Sequence, residues 1–70
     1  MSNQYTAVVK KDGDWWIGWI EEVPGVNCQE KSRKALLESL KTALREALAF
    51  NREDAISAAG HKFKEIKIAL

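Results

Sequence analysis

One cysteine, one histidine, one proline and four glycines in seventy residues leave little material for stapling or activating a small protein. Cys28 alone makes no intrachain disulfide, and together with His61 it falls short of the four ligands of an ordinary structural zinc site. No metal or cofactor is expected. The opening Met1-Ser2-Asn3-Gln4-Tyr5 has neither the basic start nor the apolar run of a secretion signal or transit peptide. No stretch approaches the roughly 18 uninterrupted apolar residues of a membrane span. The expectation is a single domain over residues 1–70, cytoplasmic and without a membrane partner.

Large apolar side chains are also scarce. Hydrophobic residues make up 46% of the chain, but nine of them are alanines, which bury little area each. A core of this size rarely supplies more than about 3–5 kcal/mol. Self-association or a partner chain is the expected supplement.

A net charge of +1 conceals an asymmetry. In residues 1–30, Lys10 and Lys11 face Asp12, Asp14, Glu21, Glu22 and Glu30, whereas residues 31–70 carry nine basic side chains against five acidic ones. Acids at helical spacing dilute the basic half, so the dense Lys/Arg stripe needed to neutralise phosphates is missing. Direct binding of DNA or RNA is not expected.

Two β-rich runs open the chain, Tyr5–Lys10 and Trp15–Ile20, separated by Lys11-Asp12-Gly13-Asp14. An Asp-Gly pair between such runs signals a hairpin, because both residues tolerate positive φ. A turn centred on Asp12-Gly13 would pair Val9 with Trp16, Ala7 with Gly18 and Thr6 with Trp19. One face then carries Tyr5, Ala7, Val9, Trp16, Gly18 and Ile20, with the small Ala7 and Gly18 admitting a helix. The other carries Thr6, Val8, Lys10, Trp15, Ile17 and Trp19.

Pro24-Gly25 suits the centre of a type II turn, and Val26–Gln29 reads as a short third strand. Ser32 is placed to cap a helix that runs from Arg33 to about Phe50, with Leu36, Leu37, Leu40, Ala43, Leu44, Ala47 and Leu48 as its apolar stripe. Glu53–Ala59 reads either as its continuation or as a separate short helix, with Gly60 as the residue beyond its end. Lys64–Leu70 alternates strictly and reads as a fourth strand with Ile66, Ile68 and Leu70 inward. The expected fold is α+β, β-β-β-α-β, with a right-handed crossover and a four-stranded sheet of order 3-2-1-4 carrying one main helix on one face.

No catalytic constellation is visible. Adjacent Glu21 and Glu22 would point to opposite faces of a strand, His61 has no carboxylate nearby in sequence to orient it, and Cys28 suits a buried small hydrophobe. The glycines are too scattered to cradle a phosphate. The tryptophans carry more information. One helix covers one side of a sheet, so Val8, Trp15, Ile17 and Trp19 form an outward apolar face of the kind that marks an interface, with Asp14, Glu21 and Glu22 at its rim. Such a rim favours a basic partner.

Tyr5-Thr6-Ala7-Val8-Val9, the run from Asp12-Gly13-Asp14-Trp15-Trp16 through Glu21-Glu22-Val23-Pro24-Gly25-Val26 to Gln29, and the helix ending at Asn51-Arg52-Glu53 together resemble the compact HicB-like antitoxin family. The resemblance covers roughly Tyr5–Arg52, and the Pro-Gly turn followed by a short strand and an amphipathic helix is its most specific element. It implies a partial ribonuclease H-like sheet, no nuclease activity, and assembly as a dimer or tetramer. The implied partner is a small basic HicA-type toxin that cleaves RNA, which the chain would bind and occlude. The resemblance is to the single-domain form, so the DNA-binding appendage of longer relatives is not expected. The alternative is a standalone oligomeric scaffold or ligand-binding protein of the same fold with no toxin partner.

Overall fold

A computed structural model of the chain describes residues 4–69. Three strands, β1 (Ala7–Asp12), β2 (Trp15–Ile20) and β3 (Asn27–Glu30), form an antiparallel sheet in the order β1-β2-β3, and one helix follows, α1 (Arg33–Ala59). The first three strands and the helix lie where the hydrophobic pattern puts them.

The turn of the first hairpin sits one residue further along than expected. Asp12 pairs with Trp15, Val9 with Gly18, Val8 with Trp19 and Ala7 with Ile20, leaving Gly13 and Asp14 as the turn residues. Gly13 takes φ of +61°, and no residue other than glycine has positive φ among those described. A turn centred on Asp12-Gly13 would force an L-residue into left-handed space at a cost of roughly 1–2 kcal/mol. Glycine at the first central position avoids that strain, as in a type II′ turn. Moving the turn by one residue changes each cross-strand partner by two, so both faces keep the expected residues.

The helix packs on β2 and β3 and closes a core of Ile20, Val23, Val26, Leu36 and Leu40. Leu36 and Leu40 are completely enclosed, and Val9, Trp16, Cys28, Ala43, Leu44, Ala47 and Leu48 pack around them. Gly18 explains how the helix comes so close: a Cβ there would meet Val9 Cγ1 at 3.0 Å and Leu36 Cδ2 and Leu40 Cδ1 at 3.1 Å each. Leu37, at the margin of the stripe, is exposed. On the helix-facing side of β1 the cover is thin, because the helix stands over β2 and β3; Tyr5 and Ala7 remain exposed and Val9 half-buried.

Ser32 caps the helix as its sequence position suggests, its hydroxyl accepting from the Ala35 amide at 3.1 Å. The helix then runs without interruption for 27 residues, about 40 Å. Asn51–Ala59 contains no glycine or proline and three alanines, so nothing stops it at Phe50. It ends at Gly60, where φ of +83° and a bond from the Gly60 amide to the Ile56 carbonyl close the last turn.

The expected fourth strand is absent among the described residues, and with it the 3-2-1-4, β-β-β-α-β, partial ribonuclease H-like sheet. Residues 64–69 have no strand pairing, and Ile66 and Ile68 are 77% and 80% exposed instead of inward. Leu70, expected to join them, lies outside the described residues. The reason is the length of the helix. Ala49–Ala59 carries the chain about 16 Å beyond Leu48, the last helical residue packed on the core. The segment then folds back along the helix flank: Arg52 donates to Glu65 through its two terminal guanidinium nitrogens, one at 3.3 Å, and Phe63 joins Ala55, Ile56 and Ala59 around a shallow groove.

Candidate interface on the sheet face opposite the helix

The pairing of the three strands determines what shares the outer face. Val8, Trp19 and Asn27 form one row across the sheet, and Lys10, Ile17 and Gln29 form the next. Asp12 and Trp15 begin a third, which Lys31 completes by placing its ammonium over the Trp15 ring at 4.1 Å. The apolar residues therefore make a stripe down the central strand, widened by Val8 at one end. Polar and charged side chains of the flanking strands border it.

Trp15 and Trp19 stay 38% and 41% exposed, Val8 is exposed and Ile17 half-buried. A cavity of about 420 Å³ opens beside this stripe, lined by Ile17, Gly18, Trp19, Asn27, Cys28 and Gln29. The structure thus gathers Val8, Trp15, Ile17 and Trp19 on one surface. Trp16, the third tryptophan, faces the helix side, half-buried, with the Lys11 ammonium 5.5 Å from its ring.

The acidic residues do not form one continuous rim. Asp14 sits at the hairpin tip, and Glu21 and Glu22 follow the far end of β2, some 20 Å away. Glu22 is also engaged inside the chain: its carboxylate accepts from both the amide and the hydroxyl of Thr6, at 2.7 Å each. These bonds hold its pKa below the usual glutamate value, with the backbone bond from Thr6 the larger cause. Asp14 and Glu21 are exposed at opposite ends of the stripe.

Lys10 lies on the face where the alternation puts it, and Lys31, Asn27 and Gln29, missing from the sequence reading, belong to the same face. The alternation of β3 could have placed Asn27 and Gln29 there. Lys31 has no such signal, because it lies beyond the strand and reaches back over Trp15.

The groups considered for chemistry are dispersed. Cys28 is half-buried against the core, and burial, followed by the charge of Glu30, pushes its thiol pKa up. That is the opposite of an activated nucleophile. His61 is exposed in the bend after the helix. Among the described residues no group of three or more His, Cys, Asp and Glu side chains is placed to hold a metal ion. Among the described residues no helix is long and apolar enough to cross a membrane.

No protein-family model matches this chain, and neither the curated proteins nor the solved structures contain a significant match.

Proposed function

We propose that this protein is a HicB-like antitoxin that works by stoichiometric binding: it covers the RNA-binding and catalytic surface of a small, basic, RNA-cleaving HicA-type toxin and performs no catalysis itself. The observation that carries this reading is the exposed stripe of Trp15, Ile17 and Trp19, extended by Val8, on the sheet face that the helix leaves bare. Aromatic residues are enriched at interface centres, and a few of them supply most of the binding energy. Asp14 at one end of the stripe and Glu21 at the other favour a basic partner and speed encounter. The compartment of this activity is the cytoplasm, where the toxin's RNA targets are.

The test uses a HicA-type toxin encoded beside this chain, if the neighbouring reading frame holds one. Co-expression is expected to relieve growth arrest, and the purified proteins to form a stable complex. Trp19→Glu is expected to cost about 2 kcal/mol of binding, roughly thirtyfold in affinity, with the chain still folded. Neither relief nor a complex would end the antitoxin reading. Absence of any such neighbouring gene, with a lower self-associated mass for Trp19→Glu, would favour a standalone oligomeric scaffold instead.

A further inference from the structure

Trp15 and Trp16 each carry a lysine ammonium over the ring, and the two contacts arise differently. Lys11 is the cross-strand partner of Trp16, so the sheet register itself brings that pair to 5.5 Å. The cross-strand partner of Trp15 is an acid, Asp12, and its cation comes from outside the sheet: Lys31 reaches back to 4.1 Å from the ring centre. The backbone of Lys31 is anchored on both sides. Glu30 pairs with Trp16 and accepts from the Ser39 hydroxyl at 2.7 Å, and Ser32 caps the helix. Uncovering the ring therefore requires movement of the lysine side chain alone.

The contact is weak. An ammonium over an exposed tryptophan contributes about two- to fivefold to an equilibrium, and fixing a lysine side chain costs a comparable amount of rotamer freedom. Negative charge lies around the ring. Side chains directly opposite on paired strands stand about 5 Å apart, which puts Asp12 beside Trp15, and Asp14 precedes Trp15 in the chain. Both acids are exposed, and neither makes an ion pair among the described residues. An aromatic face that already holds a cation, with unpaired carboxylates at its edge, suits a guanidinium better than an ammonium. A guanidinium stacks flat on the indole and still donates from its edge to a carboxylate, whereas an ammonium is a compact point charge.

We propose that the Trp15 ring, with Asp12 beside it, is a binding site for an arginine side chain of a basic partner, and that Lys31 fills this site in the free chain and leaves it on binding. Only the identity of that partner rests on the antitoxin reading. Lys31 acts as an internal competitor: it covers the ring face until the partner arrives and lowers the affinity of the site for its arginine.

The experiment titrates the whole chain, at about 0.15 M salt to screen distant charges, with a short peptide that alternates glycine and arginine. The indole N–H signals are followed by NMR. The Trp15 signal is expected to move with the arginine peptide and to stay in place with its uncharged citrulline counterpart. Lys31→Gln is expected to tighten peptide binding about two- to fivefold, and Asp12→Asn to weaken it by a similar factor. Lys34→Gln removes an equal charge from the exposed start of the helix without uncovering the ring, and is expected to leave the Trp15 response unchanged. A Trp15 signal that ignores the arginine peptide, or equal tightening by Lys31→Gln and Lys34→Gln, would overturn the proposal. A neighbouring HicA-type toxin separates the two readings. Tighter binding of that toxin by Lys31→Gln supports both, and equal binding by variant and wild type overturns the arginine site alone. No toxin binding, with the peptide response intact, removes the antitoxin reading and leaves the arginine site standing.

Discussion

Glu22 and Thr6, sixteen positions apart, are joined by two hydrogen bonds of 2.7 Å, from the Thr6 amide and from its hydroxyl to the two oxygens of one carboxylate. The bonds tie the Glu21–Gly25 turn to the chain entering β1, at the end of the sheet away from the hairpin tip. They make a connector of a residue expected at the rim of the outer face.

The Glu22 contact predicts a pH dependence. Its carboxyl pKa in the folded chain lies below the usual value of 4.5, so the folded state favours the charged form. The contribution is present above the unfolded pKa and is lost as pH falls through the folded one. In an NMR titration the Glu22 side-chain signals are expected to move at lower pH than those of an unshifted glutamate, with the Thr6 amide following. Glu22→Gln removes that response. A Glu22 midpoint at or above 4.5 would contradict the contact.

Leu40 and Leu36 carry the packing between helix and sheet, and both are enclosed. Truncation leaves a cavity as well as lost transfer energy, so Leu40→Ala is expected to destabilise by about 2–5 kcal/mol. In a chain with so small a core that change should leave little cooperative unfolding. Ile56→Ala, out on the overhanging helix, is expected to be much milder. Urea denaturation followed by tryptophan fluorescence distinguishes the two.

Gly18 is the contact point of strand and helix. Val9, Leu36 and Leu40 surround the space a side chain would take. Gly18→Val is expected to cost about 1–3 kcal/mol through overpacking. Gly18→Ala should cost less, because flexible side-chain ends yield and the unfolded chain loses freedom. Thermal unfolding of the pair checks the order.

Ser32 holds the first turn of the helix through the Ala35 amide. Ser32→Ala is expected to destabilise by about 0.5–2 kcal/mol, and Ser32→Asp to retain most of the stability, since aspartate is an equivalent cap. Equal losses in both variants would remove capping as the explanation.

The raised thiol pKa of Cys28 predicts low reactivity. At pH 8 it is expected to react with a disulfide reagent more slowly than free cysteine, both because little thiolate forms and because the group is half-buried. Denaturant should restore the ordinary rate. A fast reaction in the folded chain would show that Cys28 is neither buried nor unactivated.

Local pattern was enough to read the hairpin, the third strand, the Ser32 cap, the Gly60 terminus and the two faces of the sheet. Each depends on near neighbours: alternation with period two, a hydroxyl three residues from an amide, a glycine where φ is positive. The outward stripe of Val8, Trp15, Ile17 and Trp19 was legible for the same reason, because alternation survives a moved turn. Tertiary structure decided the rest. The hairpin partners depended on which turn residue could take positive φ, and Lys31 reached Trp15 only through the path of the chain after β3. The fate of Lys64–Ala69 was also beyond local pattern. Its alternation satisfies the requirements of a strand, but pairing needs an edge within reach, and a helix that continues to Ala59 carries the segment away from the only inward-incomplete edge among the described residues.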